Sequence, residues 1–317
     1  MPESHLGSKS EVTRLESILC GGMAGLVSRF VVSPLDVLKI RLQLEVHDRK
    51  LRVKQPGAAM IRTAVQIFKT EGIRGFWKGN ISAEGMYVMY GAVEFSTYKA
   101  INQLMNQFSP NGSDKVNHFV SGSAAGTFAT CMTYPLDLLR TRFAAQQNAS
   151  KQVYFGVVQA IKHINSHEGG LRGFYRGLGA TLCSVIPNMG LFFMIYEETR
   201  SLMNQIPRVD VLPAPEASAG LLAGSLSKTI VFPFDTIRKR LQVQGPSRES
   251  FGNNVPEYPS GPMRCAKMVL ANEGVRGLYK GYAVSLIKSA PSSAVTVWTF
   301  ENSLDLIRFF KNAEKPF

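Results

Sequence analysis

The chain has 317 residues, 36 Lys and Arg against 23 Asp and Glu, a formal charge of +13 and a pI near 9.7. That balance suits an anionic membrane surface or a nucleic acid as partner, while the absence of a Walker loop, a metal-ligand motif or a nucleophile elbow argues against an enzyme. A mean hydropathy of -0.01 is polar for a membrane protein, but the average hides six weakly apolar segments that alternate with basic loops.

In chain order, Met1–Ser17 carries neither a charged-then-apolar signal nor an Arg-rich presequence, so targeting information is expected to be internal. A first helical span is predicted at roughly 15–44. It holds the small pair Gly21/Gly25 and then Pro34-Leu35-Asp36-Val37-Leu38-Lys39. Residues 45–79 form a basic loop with eight Lys/Arg and three acids. This loop contains an amphipathic helix at about 58–70 and ends in Glu71-Gly72-Ile73-Arg74-Gly75-Phe76-Trp77-Lys78-Gly79. A second span follows at roughly 80–107.

The plan then recurs twice. The third span, roughly 116–147, has Gly122/Gly126 and Pro135-Leu136-Asp137-Leu138-Leu139-Arg140. An amphipathic helix at about 155–167, the element Gly170-Leu171-Arg172-Gly173-Phe174-Tyr175-Arg176-Gly177 and a span at about 178–203 complete the unit. Here Glu168-Gly169 is followed by one extra residue, Gly170. The fifth span, roughly 216–243, has Gly220/Gly224 and Pro233-Phe234-Asp235-Thr236-Ile237-Arg238. A helix at about 261–272, the element Glu273-Gly274-Val275-Arg276-Gly277-Leu278-Tyr279-Lys280-Gly281 and a span at about 282–310 close the chain.

The motif prolines lie 101 and 98 residues apart, so three tandem units of about 100 residues, near 12–110, 111–210 and 211–312, are expected to form one domain. Glycine pairs at i, i+4 let helices approach closely in a bilayer. Proline inside a helix removes a hydrogen bond and bends the axis. Three bends in phase tilt three helix ends together. If the units close into a ring, each acid meets the base of the next unit: Asp36 with Arg140, Asp137 with Arg238, Asp235 with Lys39. Charges at membrane depth repeated in phase mark function. Long basic loops on one face set the orientation by the positive-inside rule, with both termini opposite. The four cysteines, Cys20, Cys131, Cys183 and Cys265, have no metal-binding or redox spacing and are expected to pack as small apolar residues.

The triplicated Pro-x-Asp-x-x-Lys/Arg and aromatic-Lys/Arg-Gly elements resemble the signatures of the mitochondrial carrier family over about residues 12–310. That resemblance implies an all-α membrane protein, a pseudo-threefold barrel of six transmembrane helices with short matrix helices, monomeric, in the inner membrane. Its termini would face the intermembrane space, and cardiolipin would be a bound lipid. It also implies that the ring of acids and bases closes the matrix side. Gln43 and Gln242, four residues after their bases, resemble the family's bracing residues, while Ala144 stands in the middle position. A second, cytosolic gate is implied by aromatic-acid-x-x-base at the ends of the even helices. Tyr196-Glu197-Glu198-Thr199-Arg200 matches fully; Phe95-Ser96-Thr97-Tyr98-Lys99 has serine for the acid, and Phe300-Glu301-Asn302-Ser303-Leu304 has leucine for the base. The expected pairs are Lys99 with Glu197 and Arg200 with Glu301, with none between Ser96 and Leu304.

Substrate recognition belongs where the units differ. Seven residues before each ring acid stand Arg29, Thr130 and Lys228; seven after each initiating glycine stand Met86, Ser184 and Lys288. Seven residues are about two turns, so these positions lie about 10 Å above the ring on its face. Arg29, Lys228 and Lys288, without matching acids, suit a polyphosphate or polycarboxylate. Tyr87, Tyr90 and Asn188 fit lining roles, and Glu84 is expected to face a neighbouring helix. Finer stretches, including Tyr90-Gly91-Ala92-Val93-Glu94-Phe95-Ser96, resemble the family's fungal-type branch that carries thiamine pyrophosphate. Uptake of that phosphorylated substrate in exchange for nucleotides or other phosphates is the implied activity, with no cofactor, metal or nucleic acid. A carrier of adenine nucleotides or coenzyme A is the near alternative, and a basic helical protein binding RNA the distant one.

Overall fold

The computed structural model describes residues 13–45, 56–108, 114–147, 152–204, 215–251 and 255–313. Helix α1 (Arg14–Leu44) begins at a capping box. The Glu16 N–H donates to the Thr13 hydroxyl at 3.4 Å, and the Thr13 N–H donates to the Glu16 carboxylate at 2.9 Å. The first repeat continues with α2 (Pro56–Glu71), a 3-10 turn (Ile73–Trp77) and α3 (Asn80–Phe108). The second has α4 (Asp114–Ala145), α5 (Val157–His167), α6 (Leu171–Phe174) and α7 (Leu178–Asn204). The third has α8 (Pro215–Gln242), α9 (Pro262–Glu273), α10 (Val275–Leu278), α11 (Tyr282–Ile287) and α12 (Ser289–Ala313). No strand occurs among the described residues.

The six predicted spans are all present. The odd helices run on through Pro34, Pro135 and Pro233. The sixth span differs from the single helix expected: it divides at Lys288 into α11 and α12. Pro291 is the physical reason. It has no N–H to give the Ile287 carbonyl, and its ring crowds that carbonyl. By length and composition one described stretch, Leu171–Leu202 with mean hydropathy 1.7, is apolar enough to cross a membrane.

The barrel is stitched between repeats rather than within them. The closest helix packing joins α3 to α4, α7 to α8 and α12 back to α1, so the last repeat closes on the first. Small residues permit the approach. Ala24, Ala125, Ala129, Ala219 and Ala223 are buried, and the Ser28 hydroxyl on α1 donates to the Ser292 carbonyl on α12 at 2.9 Å. Large apolar side chains such as Leu19, Phe128, Ile186, Leu222 and Trp298 are exposed. An apolar belt of this extent marks a lipid-facing surface.

The densest core lies at the motif end. Val37, Leu38, Leu138, Leu139, Ile237 and Leu241 pack there with Ile67, Ile164 and Val269 from α2, α5 and α9. Each fully buried aliphatic side chain contributes about 2 kcal/mol, which fixes the short helices beneath the ring.

Candidate functional site

At the base of the barrel the three odd helices bring their charged ends together. Arg140 Nη2 lies 2.5 Å from Asp36 Oδ2, Arg238 Nη2 2.7 Å from Asp137 Oδ2, and Lys39 Nζ 3.7 Å from Asp235 Oδ2. Each pair joins one repeat to the next. The ring has more members than the motif spacing suggests. Lys239 Nζ is 3.4 Å from Asp137 and donates to the Thr141 hydroxyl at 2.8 Å and the Gln242 side-chain oxygen at 3.0 Å. Gln242 Nε2 donates to Asp137 Oδ2 at 2.5 Å and to the Tyr134 hydroxyl at 3.3 Å. The Gln43 side chain donates to the Thr236 hydroxyl at 3.5 Å and to no ring carboxylate among the described residues.

Beneath this ring lies a second one, which the sequence reading did not identify. Two residues after each ring base comes a buried arginine, and each grips the glutamate of the Glu-Gly element. Arg41 and Glu71 meet at 2.5 and 2.8 Å; Arg142 and Glu168 at 2.6 and 2.8 Å; Arg240 and Glu273 form the third pair. Lys78, Arg176 and Lys280 add a second base to each glutamate at 2.6, 3.7 and 2.6 Å. The arginines also cap the odd helix of the next repeat. Arg41 Nε donates to the Ala144 carbonyl at 2.9 Å, Arg142 Nε to Gln242 at 3.0 Å and Arg240 Nε to Gln43 at 3.1 Å. Helix C-terminal carbonyls need such donors. The signal was available in the sequence: an arginine at ring base plus two recurs in phase with the Glu-Gly element in all three repeats.

Each even helix starts from a left-handed glycine. Gly79, Gly177 and Gly281 have φ of 83, 83 and 81°. A Cβ on Gly79 would lie 2.6 Å from the Arg140 carbonyl oxygen of the next repeat. Both the dihedral and the contact require glycine.

Above the rings a cavity of about 460 Å³ is lined by Met86, Tyr87, Tyr90, Thr130, Ser184, Asn188, Lys228 and Lys288, with the ring side chains as its floor. Six bases line it against three acids, all aspartates. Lys228 has no ion-pair partner among the described residues.

Two positions differ from the expectation of three unmatched bases at one height. Lys288 is paired: its ammonium donates to Asp36 Oδ1. Arg29 does not line the main cavity. It lies in a small crevice with Asp36, Lys78, Asn80 and Arg140, and its guanidinium sits 3.5 Å from the Tyr87 ring centroid. Long flexible side chains reach about a turn beyond their Cα, so the height of a backbone position does not fix the height of its charge. Ser184 likewise donates to Asp235 Oδ1 at 2.8 Å, and the Thr130 hydroxyl turns back to the Gly126 carbonyl at 2.7 Å. Glu84 accepts from Asn80 at 3.3 Å on its own helix.

At the opposite end the even helices stand apart. Lys99 lies over Phe95 of its own helix at 4.2 Å, while Glu197 and Glu301 are exposed and form no ion pair among the described residues. Tyr196 stacks on Phe192 at 6.1 Å. Helix register also changes one alignment. Counted from Gly79, Gly177 and Gly281, Lys99 shares its level with Glu197 and Glu301, and Asn102 shares that of Arg200 and Leu304. Ser96 falls one turn short of that level.

Three phased helix pairs around a cavity, floored by ion pairs that interlock the repeats, define a solute carrier of the membrane rather than an enzyme. A profile of the mitochondrial carrier protein family matches residues 10–109, 112–206 and 211–311, and the chain belongs to that family. It is therefore a multi-pass transport protein of the mitochondrial inner membrane. Among its relatives is the mitochondrial thiamine pyrophosphate carrier 1 of Emericella nidulans, 45% identical over 95% of this chain and 94% of that one. The proteins of the same name from Neurospora crassa and Aspergillus terreus are 46% and 48% identical, over 94% and 93% of this chain and 93% of each relative.

Proposed function

We propose that this carrier exchanges thiamine pyrophosphate for nucleotides or other phosphates across the inner membrane. The observation that carries the reading is the cavity floor, where six bases face three acids and Lys228 has no counter-charge of its own. A diphosphate supplies the missing negative charge. The likeness to carriers named for thiamine pyrophosphate selects that substrate among phosphates.

Substrate entering from the cytosol meets Lys228 first and then draws Lys288 off Asp36. Asp36 then keeps only Arg140, and the ring weakens at one of its three joints. Asp36, Lys39, Asp137, Arg140, Asp235 and Arg238 act as the matrix gate, braced unequally by Gln242 and Gln43. Lys99, Tyr196, Glu197, Arg200 and Glu301 act as the cytosolic gate, open in this state. Tyr87, Tyr90, Thr130, Ser184 and Asn188 hold and orient the substrate, and Arg29 backs the Tyr87 ring from its crevice. The three repeats work as one monomeric unit with their basic loops in the matrix, their termini in the intermembrane space and cardiolipin around the matrix ends.

Purified protein in liposomes tests the proposal. Labelled thiamine pyrophosphate should enter only against an internal phosphate substrate, and Lys228→Ala should lose most of that exchange. Exchange of adenine nucleotides or coenzyme A with no uptake of thiamine pyrophosphate would overturn it.

A further inference from the structure

One carboxylate beside the cavity-lining Tyr90 takes no part in either ring. Helix α3 presents Met86, Tyr87 and Tyr90 to the cavity. Glu94 lies seven residues beyond Tyr87, two turns further toward the open end on the same stripe. The Tyr90 hydroxyl donates to Glu94 Oε1 at 3.3 Å. Gly126 of α4 stands opposite; a Cβ there would lie 3.4 Å from that hydroxyl and 3.6 Å from the carboxylate. The glycine thus leaves both groups room beside the cavity. Asp36, Asp137 and Asp235 all have bases within the ring. Glu94 is half-buried and has no cation partner among the described residues. A carboxylate in such surroundings is ordinarily paired. Aromatic rings also line the cavity: Tyr90 on α3 and Phe192 on α7.

We infer that Glu94 is the counter-ion for a positively charged heteroaromatic ring of the substrate, held beside Tyr90 while the anionic end lies on Lys228 and Lys288. The inference rests on the thiamine pyrophosphate reading and deepens it, since that molecule joins a cationic thiazolium to a diphosphate. Two helical turns, about 10 Å, separate Glu94 from the level of Tyr87, and a ring with a two-carbon linker and a diphosphate spans such a distance. The cavity is therefore polarised, with basic groups at the closed end and an acid with aromatic faces nearer the open end. A ring cation gains from both the carboxylate and the π faces. Nucleotides, whose bases are neutral, gain nothing from Glu94.

The test compares three ligands on purified full-length carrier by thermal shift and by competition for transport in liposomes. They are thiamine pyrophosphate, its neutral-ring isostere thiamine thiazolone diphosphate, and inorganic pyrophosphate. Wild type should favour the cationic ring over the isostere by about tenfold. Glu94→Gln should bring that ratio close to one, with the isostere and pyrophosphate held as before; their stabilising effect shows that the variant is folded. Glu94→Asp should keep part of the preference. An unchanged ratio in Glu94→Gln, or an equal loss of all three ligands, overturns the inference while leaving the transport reading intact. Wild type that binds pyrophosphate but not thiamine pyrophosphate overturns both.

Discussion

At the scale of single residues, helical phase predicts pairing well where both partners lie on the same repeated motif. Asp36 with Arg140 and Asp137 with Arg238 are contacts of this kind, because the threefold arrangement places their Cα atoms and short tethers finish the contact. Phase fails for Lys288 and Arg29, whose long side chains choose a carboxylate and a ring face that lie off their own level. Lys288→Gln separates the two roles of that lysine. It should cut exchange strongly, by tenfold or more on the scale of a lost charge-assisted contact to phosphate, and it should also loosen Asp36. Rates of exchange and melting temperature, measured together, check this; an unaltered exchange rate would remove Lys288 from the binding site. Cys265 gives a second residue-level expectation. Burial pushes its thiol up to about 11, and the side chain is fully enclosed. The thiolate is the reactive form, so maleimide at neutral pH should leave Cys265 unmodified until the protein unfolds.

At the scale of elements, spans and short helices were legible because hydrophobic period, glycine pairs and prolines agree with one another. The lower ring was not, because a buried arginine reads as one more base in a basic loop until its glutamate is seen. Arg142 shows why that ring matters to folding. All five of its N–H donors are used: on Gln242 and Gln244 carbonyls, on Tyr154 and on both oxygens of Glu168. Glu168 and Arg142 side chains are both fully enclosed. Glu168→Ala leaves that guanidinium buried without its counter-charge and should destabilise by about 3–5 kcal/mol, seen as a lower melting temperature of the purified carrier. At Glu273, burial alone would raise the carboxyl, but hydrogen bonds and charge from Arg240 and Lys280 outweigh it and hold the group below its ordinary value of 4.5. A depressed carboxyl stabilises the fold above its unfolded-state value and loses that contribution as pH falls through the folded one. Thermal stability should therefore drop on acidification below about pH 5, and Glu273→Gln, less stable at neutral pH, should show a shallower drop.

At the scale of the whole molecule, the two ends of the barrel are unequal. The ring end has three ring pairs, an extra lysine, two glutamines and the arginine–glutamate triads; at the opposite end Lys99, Glu197 and Glu301 are exposed and form no ion pair among the described residues. Such a molecule rests open at the end opposite the ring. Closing that end by the same repeat order as the matrix ring would bring Lys99 toward Arg200, Glu197 toward Leu304 and Glu301 toward Asn102. Under that order Lys99→Asp replaces a like-charge contact with an ion pair. The change is on the order of 1 kcal/mol for a partly solvated pair, about fivefold in the balance between the open and closed states. Labelling of a cavity cysteine from the cytosolic side should then slow in Lys99→Asp. The motif reading instead pairs Lys99 with Glu197, and under that pairing the same substitution sets two acids against each other and labelling should quicken. The two registers thus predict opposite signs for one measurement. Arg200→Ala gives the control: removing the base should abolish the slowing in Lys99→Asp if the contact joins these two helices, because coupling between positions in contact disappears when either is absent.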